Sequence, residues 1–266
     1  MDLFVILLCF LMSPALIQSR PIEDFGENFS GKTGIIIDDG IVPPFNDTKT
    51  PEDIAFSRGV KNADPCTARG CKWNRSRDRL VYVPYVISRG YAPSEKQVIE
   101  RALQSFSTVS CIRFVPHNGQ RDFLNIQSQS GCYSYLGRQG GGQVVSLDRF
   151  GCIFHKTVQH ELLHALGFHH EQNRSDRDKH IQILYQNIIP AMAYNFDKQN
   201  TNNLGTPYDY NSVMHYPRQV FAFSSNNLPT MVPIPNSNVR IGEAQSMSPN
   251  DILRVNRLYC SMFNFF

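Results

Sequence analysis

The sequence predicts an α+β fold in which two lobes flank a cleft. Its 266 residues, 41% hydrophobic and 11% aromatic, can bury one substantial core, which a cleft could divide into two lobes. Strand and helix patterns share the chain before Gly167, which predicts an N-terminal lobe with a mixed twisted sheet and two long helices. Beyond Gly167 the chain is rich in loop residues until a last helix pattern. We therefore expect a loop-rich C-terminal lobe with a final helix.

The amino terminus carries the pattern of a signal peptide. The apolar run Leu3–Leu11 is followed by small or polar residues and is too short to cross a bilayer. Asp2 stands where a basic residue is usual, and a buried helix is the weaker interpretation. We assign residues 1–19 to the signal, with cleavage after Ser19 favoured over cleavage after Ala15. No later apolar run could anchor the chain, so we expect a secreted protein without a membrane anchor.

Residues 20–61 form a segment that we interpret as a pro-segment. They are rich in Gly, Pro, Asp and Asn, which predicts irregular structure. Residues 1–61 carry five Lys and Arg against nine Asp and Glu, whereas the rest of the chain carries 21 against 14. The acidic segment could lie over a basic cleft or be a solvated linker, and charge does not decide between them. No motif interleaves basic and aromatic residues, so we expect no nucleic-acid partner.

The first predicted elements are a strand and a helix. The run Leu80–Ile87 predicts a strand that Pro84 interrupts. Ser94 and Gln97 have the spacing of a capping box, which opens a helix ending near Phe106. The predicted buried face of this helix consists of Val98, Ile99, Ala102, Leu103 and Phe106.

Short strands and a last helix complete the predicted elements. The strands are predicted at Cys111–Val115, Leu124–Gln127 and Val144–Leu147. The run Ser-Pro-Asn-Asp at Ser248 predicts a final helix that reaches Tyr259. We expect no further domain after that helix.

One segment carries the pattern of a metal site. His160, Glu161, His164, Gly167 and His170 match HExxHxxGxxH in full. Histidines four residues apart lie on one face of a helix, so both imidazoles can bind one metal ion. The glycine can take a positive φ, which ends the helix and returns the last histidine as a third ligand. Three protein ligands leave a zinc coordination position open, and the glutamate can accept a proton from water there.

This pattern is specific. At the residue frequencies of this chain, the full match is expected by chance in about one sequence in a hundred thousand. A helix whose histidines are merely polar surface or core residues is therefore a weak alternative. His155, His169 and His180 stand outside the pattern, and we expect them to be ordinary polar residues.

The longer segment HELLHALGFHHEQNRSDRD resembles the zinc helix and following turn of the astacins, a family of metzincin peptidases. Glu171, directly after the third ligand, marks astacins within the metzincins. The segment Ser212–Tyr216, SVMHY, resembles the family's Met-turn. The resemblance implies that Met214 forms a hydrophobic floor beneath the metal. It also implies that Tyr216 is a further zinc ligand at rest and donates a hydrogen bond to the oxyanion during catalysis, although both residues could simply be core.

The resemblance implies a two-lobed zinc endopeptidase domain over residues 62–266, with one Zn2+ per subunit. Glu161 is implied as the general base, which takes a proton from water and passes it to the leaving amine. The segments NADPCTARGCKW and MSPNDILRVNRLYC resemble the six-cysteine astacins of fish. That subgroup contains nephrosin and the hatching enzymes, and nephrosin is the nearer match. The natural substrate, egg-envelope protein or a broader set of extracellular proteins, stays open.

The cysteines fit an oxidising compartment. One of the seven, Cys9, lies in the predicted signal, which leaves an even set of six for three disulfides. Spacing alone does not assign the pairs. The resemblance implies Cys66–Cys71, Cys111–Cys260 and Cys132–Cys152.

The resemblance also implies a latent precursor. Activation in the family frees a new amino terminus, here Asn62, which folds inward to a water-mediated contact with Glu171. Family pro-segments block the metal with the aspartate of an FxGD pattern, which this chain lacks. Asp53 lies at a suitable distance before Asn62. Asp38 and Asp39 are alternatives for that role, as is a solvated linker without a switch.

Two other functions fit part of the sequence. A catalytically silent protein could use the cleft to bind polypeptide or matrix, although Glu161 and all the ligands are present. A different zinc hydrolase could cleave a small amide, although the Met-turn and pro-segment favour a peptidase. We expect a monomer outside the cell whose partners are a polypeptide substrate and an activating protease. Storage in secretory granules stays open.

Glycosylation sequons are the last feature of the sequence. Asn-x-Ser/Thr begins at Asn28, Asn46, Asn74 and Asn173. Asn173 lies so near the metal loop that we expect it to be often unmodified. The sequence does not decide the glycan occupancy of the others.

Overall fold

A computed structural model describes residues 67–68, 70–220 and 223–260, and the backbone of three short strands at 35–37, 40–42 and 54–55. All of them belong to one unit, Thr33–Phe266. The predicted signal peptide, Asn62, Cys66 and Asp53 lie outside the described residues, as do Asp38 and Asp39.

The described strands form one large mixed sheet and two small antiparallel pairs. The strands are β1 (Ile35–Ile37), β2 (Gly40–Val42), β3 (Ile54–Ala55), β4 (Val81–Ile87), β5 (Ile112–Pro116), β6 (Phe123–Gln127), β7 (Cys132–Tyr135), β8 (Gly142–Leu147), β9 (Ile181–Ile183) and β10 (Met231–Pro233). The large sheet has six strands in the order β3-β7-β8-β6-β4-β5. Neighbouring strands are parallel except for β7 and β8. The small pairs are β1 with β2 and β9 with β10.

Two of the longer helices precede the loop-rich region in the sequence, and the third follows it. They are α1 (Pro93–Val109), α2 (His155–Ala165) and α3 (Pro249–Val255), which continues as a π-helical turn, Asn256–Cys260. Short 3-10 helices lie between α2 and β10, at Glu171–Asn173, Arg177–Lys179, Tyr185–Asn187 and Pro190–Phe196. The predicted helix, strand and loop-rich regions are thus present, and the α+β fold class is confirmed.

The predicted break at Pro84 is wrong. The Val81 N–H donates to the Cys111 carbonyl beside β5, so the alternation of the strand turns the Pro84 nitrogen towards β6. Pairing with β6 begins only at Tyr85. The missing N–H of the proline therefore removes no bond from the sheet, and β4 continues through it.

The predicted helix start at Ser94 is also wrong. α1 begins after Ala92, and the Glu95 carboxylate accepts the Ala92 N–H at 2.5 Å. Pro93 occupies the first helical position, where no intrahelical N–H bond is required. The helix buries Ile99, Ala102, Leu103 and Phe106, whereas Val98 is only partly buried.

Two hydrophobic clusters form the cores of the two lobes. The first joins the sheet with α1 and α2, and it also takes in Val255 and Tyr259 at the end of the chain. The second consists of residues between Ile181 and Ile241. The Met-turn passes between them, because Met214 belongs to the first cluster and Tyr216 to the second. The last helix therefore packs on the N-terminal lobe, although it lies near the C-terminal end of the sequence.

Disulfides tie the ends of strands to distant segments. Cys111 at the start of β5 is bonded to Cys260, and Cys132 at the start of β7 is bonded to Cys152. Cys71 is also disulfide-bonded, and its implied partner lies outside the described residues. In the part of the chain that the structure describes, no helix has the length and apolar character needed to cross a bilayer.

Candidate metal centre and active site

The helix that carries the first two histidines is held at its carboxyl end by distant residues. From Thr157 to Ala165 every residue of α2 is buried. The last carbonyl groups of a helix have no intrahelical donor, so other groups must satisfy them. The bonds are Gly137 N–H to His164 O (2.8 Å), Trp73 Nε1 to Ala165 O (2.9 Å) and Tyr259 hydroxyl to Leu166 O (2.7 Å). These donors fix the position of α2 against the sheet and the end of the chain.

A glycine turns the chain back towards the helix. Gly167 has φ +96°, and its N–H donates to the His164 carbonyl at 2.8 Å. A side chain here would be strained by this φ, and its Cβ would lie 2.7 Å from the Thr67 methyl group. The tight reversal brings His170 back beside the two helical histidines.

The Nε2 atoms of the three histidines meet at one point. They lie 3.0 Å apart for His160 and His164, and 3.2 Å from each of these to His170. Nitrogen ligands of a tetrahedral zinc ion lie about 3.3 Å apart, so the spacing fits such an ion. Among the residues that the structure describes, these three histidines form a group whose ligand atoms lie close enough together to hold one metal ion.

Backbone carbonyls orient two of the rings. The Val213 carbonyl lies 2.8 Å from Nδ1 of His160, and the Phe168 carbonyl lies 2.7 Å from Nδ1 of His164. A carbonyl only accepts hydrogen bonds, so each Nδ1 carries the proton and each Nε2 keeps its lone pair for a metal. The donor set therefore fits zinc in chemistry as well as in spacing.

A carboxylate from α3 holds the Met-turn that supplies one of these carbonyls. The Asp251 carboxylate accepts the Val213 N–H at 2.9 Å and the Ser212 hydroxyl at 2.6 Å. It also accepts the Ser248 N–H at 2.9 Å, so the same group caps its own helix. Val213 thus links α3 to the ring of His160, because its N–H donates to Asp251 and its carbonyl accepts from His160.

The carboxylate after the third ligand lies in a buried network. Glu171 is 2% exposed, and Arg254 donates to both its oxygens, at 2.6 and 2.9 Å. The Asp209 N–H donates at 2.7 Å, and Arg174 lies 3.3 Å away. Burial raises the pKa of Glu171, while the neighbouring guanidinium groups lower it. The Glu171 N–H also donates to the Met214 carbonyl at 2.9 Å, which ties the third-ligand turn to the Met-turn.

Tyr216 packs directly on a metal ligand. Its ring centroid lies 4.4 Å from that of His170, and its N–H donates to the Gln172 side chain at 3.0 Å. Burial lowers the pKa of His215 to about 4, so this ring is neutral at pH 7. Its Nδ1–H donates to the Tyr216 carbonyl at 2.7 Å, and its Nε2 accepts the Tyr208 hydroxyl at 2.8 Å. Tyr208 and His215 therefore hold the backbone of Tyr216 through two successive hydrogen bonds.

The strand β7 borders this region at one side of the sheet. It is antiparallel to β8, and Gly137, shortly after its end, donates to the ligand helix. On its other side, Ser134 and Tyr135 pair in parallel with Ile54 and Ala55 of β3. A segment that precedes the predicted new terminus thus occupies the edge of the strand nearest to α2.

A model of the family Astacin (Peptidase family M12A) matches residues 70–260. The chain belongs to the astacin family. It is accordingly an astacin-type zinc metalloendopeptidase, and His160, His164 and His170 are its zinc-binding group.

Individual relatives are similar over most of the chain. High choriolytic enzyme 1 of Oryzias latipes is 50% identical over 199 residues, which are 75% of this chain and 73% of that protein. An astacin-like metalloendopeptidase of Gallus gallus is 36% identical over an alignment of 286 positions, gaps included, which covers 98% of this chain and 69% of that protein. The solved structure of High choriolytic enzyme 1, a hatching enzyme zinc-protease, matches with a TM-score of 0.69 over 72% of this chain and 96% of that one. The predicted family is confirmed, and the nearer match to nephrosin stays a prediction.

Sequence reasoning missed several residues that build this astacin's site. The Met-turn and Glu171 are contacted by Asp251, Arg254 and Tyr208, and no sequence pattern indicated these contacts. β7 was also missed, because a strand of four residues is too short to display a clear alternation pattern. Its glycine neighbours and β-favouring residues, CYSY between Gly131 and Gly137, were the available signal. Outside the zinc-binding group, His180 stacks on Tyr208 with ring centroids 4.6 Å apart.

Proposed function

We propose that this astacin is a secreted endopeptidase, made as a latent precursor, that hydrolyses extracellular proteins. The observation that carries the proposal is the convergence of three imidazole nitrogens, together with the buried side chain of Glu161 next to His160 on α2. The apolar amino terminus and the cysteines support secretion. The choriolytic relatives support a protein substrate.

The chemistry divides between the metal and two side chains. Zinc, when bound, polarises the scissile carbonyl and lowers the pKa of water towards neutrality. Glu161, which is 1% exposed and next to His160 on α2, takes the proton of the attacking water and passes it to the leaving amine. The Tyr216 hydroxyl donates a hydrogen bond to the carbonyl oxygen as that atom gains negative charge. Met214, 2% exposed, forms the apolar floor.

Substrate would bind along β7 as an added strand. A strand edge offers unpaired N–H and C=O groups, which an extended polypeptide of any sequence can use. In the precursor β3 pairs with this edge, so substrate and pro-segment compete for the same backbone groups. This competition supports latency without depending on a particular side chain.

Activation would require cleavage before Asn62. Glu171 already accepts hydrogen bonds from Arg254 and Asp209, so little of its hydrogen-bonding capacity remains for a direct contact with a new ammonium group. A water-mediated contact fits this arrangement better. A small pocket that opens to solvent borders Glu171 beside Arg174 and Arg254, and it has room for a bridging water.

The zinc switch of the precursor is proposed to be Asp53, the residue just before β3. Asp53→Ala should release activity from the uncleaved precursor if its carboxylate blocks the metal. Asp38→Ala and Asp39→Ala serve as matched controls. A precursor that stays latent after Asp53→Ala would assign the switch elsewhere, or to the pairing of β3 alone.

The natural substrate is proposed to be an extracellular protein, either of an egg envelope or of a broader set. The choriolytic enzymes support the first class by name. Cleavage of isolated egg-envelope protein, compared with casein and an unrelated matrix protein at equal concentration, separates the two. A preference for envelope protein in kcat/KM supports the first class, and equal values support the second.

The enzyme itself is tested with casein, a zinc chelator and Glu161→Ala. Losing a general base should reduce kcat by a factor of roughly 100 to 10 000 while zinc content is retained. Glu243→Ala, which removes an exposed carboxylate, is the control and should keep parental activity. Absence of cleavage by a zinc-loaded mature protein would favour the silent binding protein. Cleavage of small amides alone would favour the other zinc hydrolase.

A further inference from the structure

Two glycosylation sequons with the same three residues lie in opposite surroundings. Asn74-Arg75-Ser76 and Asn173-Arg174-Ser175 both read Asn-Arg-Ser. Asn-x-Ser is the acceptor sequence for N-linked glycans in secreted proteins. The tripeptides are identical, so the acceptor sequence itself does not distinguish them.

The first sequon is open to solvent. Asn74, Arg75 and Ser76 are all exposed. They follow Trp73, whose indole is anchored to the end of α2, and they enter a turn in which the Ser76 N–H donates to the Leu80 carbonyl at 2.8 Å. A glycan on Asn74 would extend into solvent without displacing any of these bonds.

The second sequon is closed. Asn173 is 5% exposed, and its amide nitrogen donates to the Asn195 carbonyl at 2.9 Å and to the Asp197 carbonyl at 2.8 Å. Both hydrogens of the amide are therefore used. A glycan replaces one of these hydrogens, so it breaks at least one bond and also requires space that a buried side chain does not have.

The bonds of Asn173 belong to the turn that presents the third zinc ligand. Asn173 ends the 3-10 helix that starts at Glu171, next to His170. Its carbonyl also accepts the Gln199 N–H at 2.7 Å. A glycan at this position would separate the turn from residues 195–199, so chains modified there could not complete the metal site.

We propose that Asn74 carries an N-linked glycan in the mature enzyme and that Asn173 is unmodified in every folded molecule. Asn173 acts instead as a buried amide that fastens the third-ligand turn. This inference rests on the proposed secretion, because the glycan transferase acts only on chains that enter the secretory pathway.

The test expresses the full chain in secreting animal cells and analyses both sequon peptides of the secreted protein by mass spectrometry, before and after enzymatic removal of glycans. The Asn74 peptide should carry a glycan and the Asn173 peptide should be unmodified. Asn74→Gln and Ser76→Ala should each abolish modification of that peptide, whereas Ser76→Thr should preserve it. Secreted protein with an unmodified Asn74 would overturn the proposal, and so would a glycan on Asn173 in zinc-loaded protein.

Two further variants separate the roles of the second sequon. Ser175→Ala removes the acceptor sequence but keeps the Asn173 amide, so the secreted protein should keep the same glycans. Asn173→Gln should also leave the glycans unchanged, but it should reduce the yield of zinc-loaded protein because the longer side chain misplaces the amide. A glycan lost in Ser175→Ala protein would contradict the proposal.

A second arm replaces residues 1–19 with an unrelated secretion leader. If the native leader fails and the replacement succeeds, the proposed secretion is wrong for this chain. The state of Asn74 and Asn173 in the replaced protein then still decides the glycan assignment.

Discussion

The two sides of the metal site are built in different ways. His160 and His164 lie one turn apart on α2, so the helix itself sets their spacing. The opposite side consists of the third-ligand turn and the Met-turn, which are irregular and gain their shape from α3. We therefore expect changes to the groups that support α2 from outside, such as Trp73, to affect stability alone, whereas changes to the groups that hold the irregular turns also affect the metal.

The largest expected effect comes from the buried ion pair on the irregular side. Arg254→Met leaves Glu171 buried with only part of its partners, so we expect the free energy of unfolding to fall by about 3–5 kcal/mol. Urea unfolding followed by circular dichroism measures this. Arg240→Met removes one partner of an exposed ion pair with Glu243 and should change little. Equal losses in the two variants would show that the buried pair has no special role.

The second prediction concerns metal affinity. Asp251→Asn keeps the size of the side chain but loses one of the acceptors that hold Val213 and Ser248. Because Val213 orients the ring of His160, we expect zinc affinity to fall roughly 10- to 100-fold. Competition with a chelator gives the affinity, and the visible spectrum of the Co2+ form reports the ligand geometry. Asp197→Asn, at an exposed carboxylate, is the matched control. Unchanged affinity and spectrum would mean that the Met-turn holds its position without α3.

The third prediction tests the helix side. Trp73→Phe leaves the Ala165 carbonyl without its indole donor, which should reduce the free energy of unfolding by about 1–2 kcal/mol. Helix geometry still sets the spacing of the two ligands, so zinc affinity should match the parent. A drop in affinity as large as that of Asp251→Asn would remove the distinction between the two sides.

The smallest effect is expected from the loss of the Tyr208–His215 hydrogen bond, which supports Tyr216. Tyr208→Phe removes the hydroxyl that donates to His215, at a cost of about 1 kcal/mol. If the proposed role of Tyr216 is right, kcat should fall a few-fold while KM stays constant, because the hydroxyl acts on the developing oxyanion. Tyr210→Phe, which removes a hydroxyl bonded to the His180 and Ile234 carbonyls, controls for a general loss of packing. A change in KM alone would contradict the role of Tyr216.

Some of the fold was predictable and some was not. The α+β class, α1 and the strands β5, β6 and β8 follow from periodicity over several residues. The start of α1 was mispredicted because the Glu95 carboxylate caps the helix at the Ala92 N–H. The continuity of β4 was mispredicted because Pro84 lies where the strand has not yet paired with β6. β7 was missed because it is short, although it forms the border that we propose for substrate.

The sequence by itself determined which residues bind zinc and where the chain turns between them. Their spacing is a local property of a helix followed by Gly167, so eleven consecutive residues are enough to specify it. Only the tertiary structure decided which carboxylate holds the Met-turn and which guanidinium neutralises Glu171. Asp251 lies 38 residues from Val213, and Arg254 lies 83 residues from Glu171. Buried polar groups must find partners, but the choice of partner is made when distant segments pack together, and no local pattern records it.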